Sequence, residues 1–267
     1  VALVSEALED TEARHIVSFS GGKDSTALGI YMLEKYPQID LEFVFCDTGA
    51  ELRETYEYIE RFEAIFGVKI KRLNALKDLG IREKSGRTPF DVYLKEYYGN
   101  FLPSPQARWC TRVLKIKPFE TEIGEGRAYS YIGIRADEQR LGYQQKKPVM
   151  LSSSGNIIPV YPFQENGIGL EEVKSILNNS GIGLPPYYKW RSRSGCYFCF
   201  YQRIGEWQGL KENHPDLFEK AKSYEKEENG RKYTWVNDRS LEEIEKLKER
   251  YDVPDGENLD GCAICHL

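Results

Sequence analysis

One stretch of this chain has the residue types and spacing to hold a phosphate. Ser18-Phe19-Ser20-Gly21-Gly22-Lys23-Asp24-Ser25 puts two adjacent glycines before a lysine, with serines on either side. Glycines let the backbone turn through conformations closed to other residues and come close to a ligand. Successive N–H groups can then face inward as an anion nest, helped by the positive end of the helix that follows. Lys23 adds a point charge, and Ser18, Ser20 and Ser25 add hydroxyls. The spacing is not that of a Walker loop, which separates its first glycine from Gly-Lys by four residues.

The cysteines are the second constellation. Cys196/Cys199 and Cys262/Cys265 form two C-x-x-C pairs. Each pair bends two thiolates toward one ion, and four thiolates suit either zinc or an iron–sulfur cluster. Tyr197, Phe198, Phe200 and Tyr201 wall the first pair with aromatics. Cys110 lies between Arg108 and Arg112, and positive neighbours raise a thiol's thiolate fraction. Cys46 ends an apolar run and reads as a structural residue.

Charged residues surround these motifs. Asp47 and Arg135 each follow a predicted strand, with Arg140 close behind. Ligands of open α/β sheets gather at that carboxyl edge. Asp47 suits magnesium or a ribose hydroxyl there, and a guanidinium pairs bidentately with phosphate. Arg112, Lys115 and Lys117 share an acid-free segment that could hold an acceptor phosphate. Tyr187–Arg203 interleaves aromatics with Lys189, Arg191, Arg193 and Arg203, a pattern suited to opened nucleic acid.

The elements that must position these residues alternate. Apolar runs at His15–Ser20, Leu41–Cys46 and Val68–Leu73 predict strands. Ser25–Lys35 and Leu52–Phe66 predict the helices between them, the second from apolar residues at three- and four-residue steps. Strand–helix alternation implies an α/β fold, an open and mostly parallel sheet with helices on both faces. Ala107–Lys117 predicts a helix that stops before Pro118; Arg127–Ile134 and Ile157–Tyr161 predict strands, and Leu170–Leu177 a helix. Lys77–Gln106 shows no clean period, and Ala136–Ser154, with Lys146 and Lys147, reads as a loop. Beyond residue 180 the texture changes. Helices are expected near Tyr201–Glu212 and Asp216–Lys226, and Ser240 with Glu243 forms a capping box for one more. The expected division is a nucleotide domain over residues 1–180 and a small helical, cysteine-rich region over 181–267.

Composition narrows the class. The chain has 267 residues, 40% hydrophobic and 30% charged, as a globular domain does. No apolar stretch approaches the roughly 18 residues of a spanning helix. The acidic Val1–Thr11 carries no secretory signal, so a cytoplasmic location is expected, without a membrane. A net charge of −5 argues against a general nucleic-acid coat but leaves room for a local basic groove. Without an export signal, paired cysteines favour a metal over disulfides.

SFSGGKDS resembles the PP-loop of the N-type ATP pyrophosphatases. VFCDTGAE (44–51), RWCTRVLKIKP (108–118), GIRADEQR (133–140) and SGCYFC (194–199) are similar, in that order, to the phosphoadenosine-phosphosulfate (PAPS) reductase-like branch. The resemblance implies an adenine nucleotide α-hydrolase-like fold and an enzyme that cuts ATP, with magnesium, between its α- and β-phosphates. Ser18, Ser20, Gly21, Gly22, Lys23, Asp24, Ser25, Asp47, Gly133, Arg135 and Arg140 would then bind the nucleotide, with Lys23 and Arg135 catalytic. The intact loop looks closest to the ATP-pyrophosphatase subunit of DNA phosphorothioation systems. That implies a cysteine desulfurase as sulfur donor, DNA and other phosphorothioation subunits as partners, tRNA as a less favoured acceptor, and room for a homodimer. Cys110 could relay the sulfur as a persulfide. The resemblance tilts the metal toward a 4Fe–4S cluster, with zinc as the alternative. Cluster-bearing reductases of the branch have tandem cysteines where this chain has Trp109-Cys110. Either Cys110 joins Cys196, Cys199 and a C-terminal cysteine, or Cys262 and Cys265 complete the site and Cys110 stays outside it; the second arrangement is preferred. Competing expectations are a sulfonucleotide reductase using Cys265 and a nucleotide-sensing adaptor with no catalysis.

Overall fold

The computed structural model describes residues 1–78, 87–138, 155–228, 230–237 and 239–253. Five strands, β1 (Arg14–Ser18), β2 (Leu41–Asp47), β3 (Ile70–Asn74), β4 (Ala128–Tyr131) and β5 (Ile157–Val160), form one sheet in the order β3-β2-β1-β4-β5. Every pairing is parallel. The chain winds outward from β1 through β2 to β3, then crosses to β4 and winds the other way. The carboxyl ends of β1 and β4 are therefore the switch point, where open sheets leave a crevice for ligands.

Short strands buried on both faces explain the near-continuous apolar runs. Successive side chains alternate between two cores. Val17, Phe43 and Phe45 pack on one side with Phe19, Leu28 and Phe62. Ile16, Val44 and Cys46 pack on the other with Phe119, Ile123 and Ile132. Helix α1 (Val4–Glu9) lies at the start of the chain. Helix α2 (Lys23–Lys35) is buried from Lys23 to Ile30, as its apolar sequence implies. Helix α3 (Arg53–Phe66) buries Thr55, Tyr58, Ile59 and Phe62 and ends on Gly67, whose φ of 65° suits a residue without Cβ.

Three expectations change. The helical run begun at Trp109 does not stop before Pro118. It widens into a π-turn over Arg112–Ile116 and continues through Lys117–Ile123. Proline lacks an N–H and clashes one turn back, so a wider turn just before it and a place at the start of the next helical segment accommodate it. The second late helix ends at Lys222, not Lys226, and Lys226–Glu228 (β6) pairs antiparallel with Arg231–Tyr233 (β7). Glu225–Glu228 offers no apolar face, and Gly230, at φ 73°, makes the turn. Finally, Lys77–Gln106 contains order its sequence concealed: Pro89–Val92 is helical, followed by a π-turn over Tyr93–Tyr97. The capping box at Ser240 forms as expected, opening Leu241–Glu245.

A third core joins distant segments. Phe90, Trp109 and Leu114 pack with Trp207, Phe218, Trp235 and Ile244. Asp91 anchors it: Tyr224 donates to its carboxylate at 2.7 Å, and Thr88 Oγ1 at 2.8 Å. Burial opposes its ionisation, but the bonds from Tyr224 and Thr88 and the nearby Lys220 prevail and lower its pKa. The linked stability is complete above the unfolded value of about 3.9 and is lost as pH falls through the lower native value. Asp91→Asn should cost about 2 kcal/mol at neutral pH and flatten that acid limb, as read by denaturant melts across pH.

Candidate active site

The glycine loop stands at the switch point. β1 ends on Ser18, whose Oγ lies 3.0 Å from Ser130 Oγ on β4. Phe19 then drops into the core, fully buried. Gly21 adopts φ 69° and lies so close to Thr55 and Ile59 of α3 that a Cβ would crowd both. Gly22 caps α2 with extended backbone. The loop closes on itself: Ser20 N–H donates to Ser25 Oγ at 3.1 Å, and Ser25 Oγ donates to the Gly22 carbonyl at 3.2 Å. The loop thus turns tightly from β1 into α2, with the Lys23 N–H leading the helix.

A chain of buried charge sits behind the loop. Lys23 Nζ is 3.1 Å from Asp24 Oδ2, and Arg135 reaches Asp24 Oδ1 at 2.9 Å. Burial works against the Lys23 charge, but Asp24 and Tyr188 hold its pKa above the ordinary lysine value. Arg135 also contacts Asp137 at 2.8 Å and Glu138 at 3.1 Å. Its guanidinium thus serves the loop through Asp24 and is shared among three carboxylates, where a direct grip on phosphate was expected. Gly133 makes this possible: a Cβ there would stand 2.9 Å from the Asp24 carbonyl oxygen. Asp47 takes its expected place at the end of β2, and its Oδ1 accepts from Gly49 N–H at 2.8 Å and Tyr56 hydroxyl at 2.7 Å. It holds the turn after the strand. Arg140 lies outside the described residues.

The loop has a roof, built by residues more than 160 positions along the chain. Tyr187 donates its hydroxyl to the Gly21 carbonyl at 2.9 Å. Tyr188 Oη accepts from Lys23 N–H at 3.2 Å, and its ring lies 5.1 Å from Lys23 Nζ. Ser194 Oγ is 3.3 Å from Ser20 Oγ. The only hint was the aromatic texture of Tyr187–Arg203. That stretch is not an open stacking surface: Tyr187, Trp190, Arg191, Tyr197 and Phe198 are buried, and Tyr187, Tyr188 and Arg191 tie down backbone. Lys189 and Arg203 remain exposed.

A short step along this segment leads to the cysteines. Cys110, Cys196 and Cys199 line one small cavity of about 30 Å³ with Thr48, Lys115, Leu114 and Phe200. Cys199 N–H donates to the Cys196 carbonyl at 3.1 Å, the tight turn expected of C-x-x-C. Cys196 Sγ is 3.3 Å from Thr48 Oγ1 and 3.7 Å from Glu51 Oε1. Burial, then Glu51, pushes the Cys196 thiol well above its ordinary value. Burial likewise raises Glu51, against the pull of Lys115 and Thr48. Thr48 and Glu51 were missed as site residues, although both belong to the VFCDTGAE motif. Among the described residues no three metal-capable side chains converge on one point. Cys262 and Cys265, the expected second pair, lie outside the described residues, as do Lys146 and Lys147.

The basic triplet splits. Arg112 and Lys117 are exposed, whereas Lys115 is buried against the cysteine cavity. The π-turn causes this by shifting the phase of the helix within the segment. Arg108 and Arg112 are exposed on either side of the half-buried Cys110, as the sequence suggested. Cys46 is buried and its Sγ donates to the Lys115 carbonyl at 3.4 Å, the structural role expected of it.

With this geometry in place, comparison with known proteins is informative. The phosphoadenosine phosphosulfate reductase domain matches residues 14–209, which include the loop, the Asp24–Arg135 charge chain, Cys110 and the Cys196–Cys199 turn. An uncharacterized protein of Methanocaldococcus jannaschii is 27% identical over 226 residues, 82% of this chain and 43% of its own length. The chain spans less than half the length of the curated relatives it matches. Among solved structures, a PAPS reductase from Candida auris in a phosphate complex aligns with a TM-score of 0.45 and 15% identity, over 69% of this chain and 81% of its own. The U34-tRNA thiolase NcsA of Methanococcus maripaludis, with its 4Fe–4S cluster, aligns with a TM-score of 0.41 and 14% identity, over 95% and 79%. No helix among the described residues is long and apolar enough to cross a membrane.

Proposed function

The chain belongs to the phosphoadenosine phosphosulfate reductase domain family, and from that premise we propose that it is an ATP pyrophosphatase that adenylates an acceptor oxygen for replacement by sulfur. The observation that carries this reading is the complete loop at the switch point: Gly21, Gly22, Lys23 and the Ser20–Ser25 pair, backed by buried Asp24 and Arg135. A site that only held an already activated sulfonucleotide would have no pyrophosphate to stabilise.

In the proposed reaction an acceptor oxygen attacks the α-phosphorus of ATP. The bond to the β-phosphate oxygen breaks, and pyrophosphate leaves with the electron pair. The loop N–H groups and Lys23 Nζ meet the charge that develops there, and fixed donors of this kind need no reorganisation during the reaction. Arg135 is a positioning residue that fixes Asp24 and, through it, Lys23. Magnesium accompanying ATP retains several waters and takes one or two carboxylates at most, so no protein cage is required. Asp47, at the same sheet edge, is the carboxylate assigned to this role.

Adenylation turns the acceptor oxygen into part of a good leaving group, AMP. A sulfur nucleophile then takes its place. Cys110 is assigned as the relay: it borders the cavity, is half-buried, and stands in sequence between the exposed Arg108 and Arg112. A cysteine desulfurase would load it as a persulfide. Attack by the terminal sulfur expels AMP, a second thiol releases the thiolated product, and an external dithiol reduces the disulfide left behind.

The cysteine cavity fits a thiolate-bound metal in its donor chemistry, with soft sulfur ligands and an apolar wall. Cys196 and Cys199 would hold it, completed by Cys262 and Cys265. The 4Fe–4S assignment follows the resemblance, and zinc is its alternative. Bound there, the metal would favour the Cys196 thiolate against the burial that raises its pKa and would pin the C-terminal region to the catalytic body.

The acceptor assigned is a DNA backbone phosphate oxygen, within a phosphorothioation assembly. Incubation with ATP, magnesium and either duplex DNA or tRNA tests this. DNA-dependent pyrophosphate is expected, with AMP following once a persulfide donor is added. Stimulation by tRNA alone would move the acceptor to a base carbonyl, and turnover of PAPS without ATP would make the protein a reductase.

A further inference from the structure

The phosphate loop and the cysteine turn are joined by one strap, residues 187–196. At its near end the strap occupies positions a phosphate needs. Lys23 N–H is the leading donor of α2, the group an anion at a helix N-terminus takes first. Tyr188 Oη already accepts from it at 3.2 Å. Ser194 Oγ presses so closely beside it that a Cβ on Gly22 would collide with it. Loop and strap are in van der Waals contact with no layer between them. At its far end the strap is fixed to the cysteines. Arg191 is 1% exposed, and it donates to the Gly195 carbonyl at 3.0 Å and the Cys196 carbonyl at 2.7 Å. Tyr197 N–H continues the connection by donating to the Ala50 carbonyl at 2.8 Å.

We propose that the strap is a nucleotide-responsive cover: phosphate at the loop displaces Tyr188 and Ser194, and the displacement is carried through Arg191 to the Cys196–Cys199 turn. This rests on the phosphate-loop reading above. The two states differ in what they let the loop bind, so phosphate must favour the displaced state, and by reciprocity any ligand that holds the cysteine turn in one state shifts affinity at the loop. Sulfur chemistry would thereby be signalled that a nucleotide is in place. Tyr188 and Arg191 are positioning residues in this scheme. They touch the loop and the turn, not the reacting atoms.

Hydrogen–deuterium exchange of the full chain, with inorganic pyrophosphate as the probe, tests it. The amides of 20–25 should become protected, and those of 187–199 should exchange about fivefold faster, the effect of losing about one hydrogen bond's worth of restraint. Tyr188→Phe should show faster exchange in 187–199 before any probe is added, and should bind pyrophosphate about fivefold more tightly because the competing hydroxyl is gone. The rise must be confined to the strap, with the β2 amides unchanged, since a merely destabilised variant would exchange faster everywhere. Protection at 20–25 with no change in 187–199 would overturn the cover while leaving the phosphate site standing. No protection at either place would remove the phosphate-loop reading and the cover together.

Discussion

Lys23→Ala should lower ATP cleavage about a hundredfold while leaving the protein folded. Lys23 lies inside the loop, at the start of α2. Its ammonium contacts Asp24 at 3.1 Å and lies over the Tyr188 ring. Removing one charged donor from a developing oxyanion costs on the order of 3 kcal/mol, which is about two decades in rate. The fold survives because Asp24 keeps Arg135 at 2.9 Å, so its carboxylate is not left buried and unpaired. The loss should appear in kcat and kcat/KM alike, the mark of an interaction made in the transition state. A thermal melt within a few degrees of wild type should accompany it. Wild-type turnover in a folded Lys23→Ala protein would contradict the assignment.

The second large effect concerns sulfur, and two serine variants divide it. Cys196→Ser should remove the metal, since it deletes a ligand from the turn that Cys199 N–H and Arg191 pre-shape. Cys110→Ser should keep the metal and abolish sulfur transfer, because a hydroxyl is nearly the size of a thiol but cannot carry a persulfide. Both residues line one cavity, so the variants are close in space and differ in role. The measurement is iron, zinc and sulfide content in anaerobic preparations, taken with product sulfur from the same samples. A metal-free Cys110→Ser protein would make Cys110 a ligand. Metal and full sulfur transfer in that variant would make it a bystander. A colourless wild-type protein with one zinc per chain would replace the cluster and leave the thiolate site.

What the sequence showed of this protein was what is local. The phosphate loop could be identified from eight consecutive residues because glycine, lysine and serine act on their own backbone neighbourhood. The parallel sheet could be inferred because β1 and β2 are short apolar runs followed by helical periods, and burial on both faces leaves that trace. Cys46 was recognisable as structural from its place at the end of such a run. The roof was hidden for the opposite reason. Tyr188 meets Lys23 across 165 residues of chain, and no local pattern marks a partner at that distance. Lys115 was grouped with Arg112 and Lys117 because they share an acid-free segment, but a π-turn runs through that segment and Lys115 is buried. Proline seemed to end that helix at 118, yet the same wide turn let it continue. Arg135 was expected to grip phosphate, but Asp137 and Glu138 follow within three residues, and proximity in the chain gave them the guanidinium.

The central claim is that the acceptor's own oxygen attacks ATP. It can be followed with an acceptor whose reactive oxygens are heavy-isotope labelled, incubated with the protein, ATP, magnesium and a persulfide donor, and analysed by mass spectrometry of the nucleotide product. The expected products are AMP carrying the acceptor's heavy oxygen, pyrophosphate without label, and an acceptor that has exchanged that oxygen for sulfur. Unlabelled AMP, or ADP with inorganic phosphate, would mean that water attacks or that a different bond is cut, and would contradict that claim.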